Sequence, residues 1–235
     1  MNATIANIPR VKAKLRDYLR AHGLDVPKMT IAAPVWGTAA RRAAWRATVH
    51  MQSHGKAIAQ SAKYTQRLVD ALFPLSFVDR QQRILAREVG VKEHPAGSND
   101  GPRIREYQRA GGIPHPENLR AEDKAWCACF ATWADIEAGF PRASLPSNPA
   151  GVPSWAACRN AHITTVSKLA ARRGDHLCLF GNGHIETITH VIVPGLVWAT
   201  IGGNTSVSGS QSNGGMVCRK TRYARDVSAV KRVRP

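Results

Sequence analysis

A cysteine, Cys127, a histidine, His184, and an amide, Asn204, are the residues of this 235-residue chain whose types suit thiol chemistry. A thiol attacks a carbonyl as its thiolate, so it needs a base within hydrogen-bond reach and a third group to hold that base in place. The five cysteines stand at 127, 129, 158, 178 and 218. An odd number at irregular spacing argues against a disulfide framework and leaves at least one thiol free.

The elements that must carry these residues can be read from the pattern. Residues 122–138 read as a helix with Glu122 and Asp123 in its first turn and Gly139 just past its end. On it, Trp126, Cys129, Phe130, Trp133 and Ile136 form an apolar stripe, whereas Cys127 falls in line with Ala131, Ala134 and Ala138. Cys129 therefore reads as packing, and Cys127 faces small residues where a substrate could approach. A thiol in the first helical turn is also expected to ionise more readily, because free backbone N–H groups favour an anion there. His184 follows the Gly181-Asn182-Gly183 turn and opens a strand, and Asn204 ends the next one, so a pairing of the two strands could bring the amide beside the imidazole.

The order Trp126–Phe130, Gly174–Phe180, Gly183–Ile185, Gly202–Thr205 resembles the CHAP family (cysteine, histidine-dependent amidohydrolases/peptidases), papain-like peptidoglycan hydrolases related to the NlpC/P60 group. Upstream, Gly90–Glu93 and Gly97–Pro102, with Tyr107 beyond, also look like that family; the similarity spans roughly residues 82–223. The resemblance implies Cys127 as nucleophile, His184 as general base and then acid, and Asn204 as the orienting residue. It implies substrate contacts from Trp126, Asn99, Tyr107 and Glu186, and no metal or organic cofactor. Many members carry a Glu two residues before the Asn, where this chain has Gly202. Glu186, on the same strand face as His184, is a candidate replacement, although alternation alone reads it as an exposed strand residue.

The resemblance further implies cleavage of an amide or peptide bond of the peptidoglycan stem, as an amidase or an endopeptidase. A phage endolysin is the expected setting: a monomer made in the host cytoplasm without a signal peptide, reaching the cell wall with a holin as partner.

Composition frames these expectations. With 43% hydrophobic residues the chain can bury a core, and no apolar run is long enough to span a membrane. The net charge of +17 suits an anionic partner, and the wall is rich in phosphate and carboxylate. Residues 1–77 read as a basic helical unit with helices over 8–22, 38–53 and 57–73, a candidate wall anchor. Its Trp36-Gly37-Thr38 and Thr65–Leu68 segments faintly resemble helical peptidoglycan-binding modules. Residues 78–225 read as the hydrolase domain, with helices at 78–89 and 103–109 and strands at 176–180, 185–193 and 196–201. Residues 226–235 read as a basic tail. Helices followed by an antiparallel sheet make an α+β fold. The rival reading is a non-catalytic basic module binding wall or nucleic acid, but no specific nucleic-acid motif is present. A zinc site from His176, His184 and His190, or from Cys127 and Cys129, lacks the spacing such sites use.

Overall fold

The computed structural model describes residues 8–24, 26–27, 31, 36–53, 72, 75–206 and 214–235. The chain divides into two compact units, Met1–Leu75 and Ser76–Pro235. The boundary lies two residues earlier than expected because Ser76 belongs to the helix that follows: its hydroxyl accepts from the Asp79 N–H at 3.1 Å and caps the first turn.

In the first unit, α1 (Ile8–Ala21) lays Val11, Leu15 and Leu19 against Ala43, Ala44 and Ala47 of α2 (Thr38–Ser53). Alanines on α2 let the two backbones approach closely, and Trp36 packs on the edge of the same cluster. The expected helix over 57–73 and the Thr65–Leu68 segment lie outside the described residues, Leu72 excepted.

The second unit carries α3 (Phe77–Glu88), α4 (Pro102–Ala110), α5 (Cys127–Glu137), α6 (Val152–Ala157) and six strands. These are β1 (Ile163–Val166), β2 (His176–Leu179), β3 (His184–Val193), β4 (Val197–Thr205), β5 (Met216–Tyr223) and β6 (Val227–Val233). They form one antiparallel sheet in the order β1-β6-β2-β3-β4-β5, so the unit is α+β.

The basic tail is corrected by β6, which pairs with both β1 and β2. Val227, Val230 and Val233 point into the cores while two cations find internal partners. Lys231 Nζ donates to the Cys158 carbonyl at 2.5 Å and to Thr165 Oγ1 at 2.8 Å, and Arg232 pairs with Asp175 at 2.8 Å. A charged strand looks like a tail in sequence because those partners lie 57 to 73 residues away.

The helix expected over residues 122–138 is shorter than its pattern indicates. A 3-10 turn over Ala121–Asp123 precedes it, Trp126 caps it, and Cys127 is its first residue. Every residue from Cys127 to Asp135 is buried, so α5 runs through the core instead of lying on it. On one side Trp126, Cys129, Phe130 and Trp133 join Tyr107 and Ile201; on the other Cys127, Ala131 and Ala138 join Trp155, Cys178 and Ile185. The two cysteines do face opposite ways, but the small-residue side is core and not an open surface.

Candidate active site

Cys127 opens α5 and is 5% exposed. The first backbone bond of the helix runs from the Phe130 N–H to the Trp126 carbonyl at 2.9 Å, so the amides of Cys127, Ala128 and Cys129 have no partner within the helix. His184, the first residue of β3, lies beside this thiol with no exposed surface. Its Nε2 meets Glu186 Oε1 at 3.2 Å. A carboxylate accepts only, so Nε2 carries a hydrogen and Nδ1 is the nitrogen left for other partners. Nδ1 is buried without a fully formed hydrogen bond among the described residues.

Burial of His184 opposes its charged form, but the neighbouring Cys127 and Glu186 outweigh that cost and push the imidazole up to about 9. Burial also acts against ionised Glu186. The Arg222 guanidinium and the His184 ring prevail and hold its carboxyl at about 2. Arg222 Nε donates to Glu186 Oε2 at 2.8 Å and its Nη2 donates to Oε1, while the Thr200 hydroxyl donates to Oε2 at 2.5 Å. The carboxylate is thus gripped from β4 and β5 while it holds the histidine on β3.

This arrangement corrects two expectations. Glu186 is not an exposed strand residue: it is 1% exposed and lies beneath His184. Nor does Asn204 accept the second ring N–H, because Glu186 occupies that place. Residues i and i+2 of a strand share a face, which puts Glu186 under the imidazole. Hydrogen-bonded pairing of β3 with β4 begins only at Thr187 and Ile201, short of His184 and Asn204. Asn204 is fully buried at φ 54°; its Oδ1 accepts from the Gly215 N–H at 3.3 Å, and its Nδ2 has no hydrogen-bond partner among the described residues.

The Gly202-Gly203 step is a matter of clearance and not of turning. A Cβ on Gly202 would lie 2.5 Å from Glu186 Cγ, and one on Gly203 would lie 2.7 Å from Phe130 Cβ and Trp126 Cζ3. The first glycine admits the carboxylate; the second lets α5 lie against β4.

Three of the expected substrate contacts are enclosed. Trp126 is fully buried, donates from Nε1 to Glu93 Oε1 at 2.8 Å, and stacks on Tyr107 at 5.8 Å. Tyr107 is equally buried and donates to Glu88. Asn99, at φ 51°, donates from Nδ2 to the Ala121 carbonyl at 2.8 Å. All three brace the segment leading into Cys127 and present no surface to a substrate. His176 sits in a separate buried network, between Asp135 Oδ2 at 2.8 Å and Thr187 Oγ1 at 3.0 Å. Among the described residues no group of three or more His, Cys, Asp and Glu side chains is placed to hold a metal ion.

The residues that sequence reasoning missed are Thr200 and Arg222, the Glu186 grip, and Phe180. The Phe180 ring is 39% exposed, stands 6.4 Å from the His184 ring nearly parallel to it, and covers the Arg222 guanidinium at 5.4 Å. Its backbone is left-handed at φ 53°, a costly conformation for a bulky residue and one often kept at functional sites. Arg222 was hidden because β5 lacks the alternation of a simple strand and merges with the basic run after Arg219.

Comparison with known proteins finds no matching family model, curated protein or solved structure.

Proposed function

We propose that this protein is a CHAP-type cysteine hydrolase that cleaves an amide or peptide bond of the peptidoglycan stem. The observation that carries the reading is the convergence of Cys127, at the first position of a helix, with a buried His184 whose far nitrogen is fixed by Glu186. In this reading Nδ1 of His184 takes the Cys127 proton and the sulfur attacks the carbonyl carbon. The unpaired amides of the first turn of α5 stabilise the oxyanion. His184 returns the proton to the leaving amine as the C–N bond breaks, which leaves a thioester. Water then attacks the thioester with His184 as base and releases the acid and the free thiol.

Glu186 takes the orienting role that the resemblance assigns to Asn204, while the buried and unpartnered Asn204 Nδ2 is left to donate to a substrate carbonyl. The net charge of +17 favours an anionic wall as the surface on which this chemistry occurs. No helix among the described residues is long and apolar enough to cross a membrane, and a lytic role in phage release, with a holin giving access to the wall, fits the resemblance.

The test is digestion of purified sacculi by the unaltered chain and by Cys127→Ala, followed by mass spectrometry of the released fragments. Fragments from the unaltered chain alone, bearing new carboxyl and amino termini, are the expected result. Equal release by both removes Cys127 from the chemistry, and no release from walls of several types removes the hydrolase reading.

A further inference from the structure

A buried carboxylate needs a cation or a full set of hydrogen-bond donors, because water can no longer solvate its charge. The second unit obeys this rule four times. Glu88 pairs with Arg103 at 2.7 Å, Asp175 with Arg232 at 2.8 Å, Asp135 with His176 at 2.8 Å, and Glu186 with Arg222. Glu93 breaks it. Its side chain is buried at 8% exposure, yet it makes no ion pair among the described residues, in a chain with twice as many basic as acidic side chains. One carboxylate oxygen accepts from Trp126 Nε1 at 2.8 Å. The other lies 3.0 Å from where a Cβ of Gly215 would stand, on the wall of a cavity of about 330 Å³.

That cavity is lined by Lys92, Glu93, Ala96, Gly97, Gly214, Gly215 and Met216. Lys92 is exposed and makes no ion pair with Glu93. Three glycines leave the space open, and its volume admits a short side chain bearing a polar head. Both walls are tied to the catalytic segment. Trp126 directly precedes Cys127, and the Gly215 N–H donates to Asn204 Oδ1 at 3.3 Å.

We propose that this cavity is a substrate subsite in which Glu93 receives a primary ammonium group of the stem peptide. The proposal rests on the hydrolase reading for the identity of the substrate. Stem peptides supply the chemistry needed, since a diamino residue presents a free amine. An ammonium brought to Glu93 completes the pairing that every other buried carboxylate of the unit already has. It makes a charge-assisted hydrogen bond with the oxygen that Trp126 leaves unused. Glu93 acts on binding and not on the reacting atoms.

The test is a calorimetric titration of the full chain carrying Cys127→Ala with the tripeptide L-Ala-γ-D-Glu-L-Lys and with the same peptide acetylated on both amines. The expected result is at least about tenfold tighter binding of the free amine form, with the preference erased by Glu93→Gln. Glu93→Gln keeps an oxygen for Trp126 Nε1, and thermal unfolding of the variant checks that the fold survives. Should it fail to fold, Glu93→Asp, which draws the carboxylate back by one carbon, serves the same comparison and should cut the preference several-fold. Equal binding of the two peptides, binding of neither, or a preference that persists in the folded variant overturns the proposal. Because this readout needs no hydrolysis, a failure of the hydrolase reading shows separately, as intact sacculi.

Discussion

Gly202 and Glu186 share one space. A Cβ on Gly202 would lie 2.5 Å from Glu186 Cγ and 2.9 Å from its Cδ and Oε1, closer than side-chain contacts allow. The carboxylate that orients His184 therefore comes from β3, and the neighbouring position on β4 is empty so that it can. Thr200 and Arg222 grip the same carboxylate from β4 and β5, which gives the imidazole a fixed partner in a buried site.

Gly202→Ala should accordingly displace the Glu186 side chain and lower kcat/KM on soluble wall fragments by at least about tenfold, since small errors in placing a general base are costly. Glu186→Gln should be worse for the fold, because it leaves Arg222 buried without its counter-charge. A destabilisation of about 3–5 kcal/mol is expected on denaturant unfolding. If both variants match the unaltered chain in rate and stability, the carboxylate is not the orienting group.

The pH dependence of stability follows from the same pair. His184 is raised in the fold, so its contribution is complete below its unfolded value near 6.5 and is lost as pH rises through about 9. Glu186 is lowered, so its contribution is complete above its unfolded value near 4.5 and is lost as pH falls towards about 2. These two groups together place the stability maximum between about pH 4.5 and 6.5. Urea midpoints measured across pH 2 to 10 check this, and His184→Gln should flatten the alkaline limb.

Thiol alkylation should discriminate among the five cysteines. Burial pushes the Cys129 thiol far up and the Cys178 thiol up to about 12, and both side chains are enclosed. Iodoacetamide at neutral pH should label Cys127 and the half-buried Cys158, with little reaction at Cys129 and Cys178. His184→Ala should slow labelling of Cys127 by about tenfold or more and leave Cys158 unchanged. Peptide mapping over a time course reads both rates.

Phe180 should invert the usual order of substitutions. Alanine removes the ring that stacks near His184 and Arg222 and keeps the left-handed strain, whereas glycine removes the ring and relieves the strain. Phe180→Gly should therefore be more stable than Phe180→Ala by about 1 kcal/mol on thermal unfolding. Both should lower activity by exposing His184 and its partners to water. The reverse stability order would show that the φ of 53° is not a cost to the fold.

The sequence by itself determined the parts whose signals are local. Val11, Leu15 and Leu19 recur at helical spacing and form one buried face of α1. Thr38–Ser53 is helical over the span its pattern indicated, and Gly181–Gly183 makes the turn from which His184 emerges. Cys127 near a helix start and His184 at a strand start were legible because helix and strand ends are marked by neighbouring residues.

Tertiary structure decided what depends on distant partners. Whether Glu186 faces water or His184 turns on the empty side of Gly202 and on Arg222, 36 residues further on, which period-two alternation does not encode. The resemblance makes Trp126 and Tyr107 substrate contacts, but Glu93 and Glu88 are folded against their polar atoms. The basic stretch after Arg219 looks like a tail because burying Lys231 is favourable only once the carbonyl of Cys158 and the hydroxyl of Thr165 are brought beside it. In each case the fold supplies a buried polar group with a partner whose hydrogen bond replaces water.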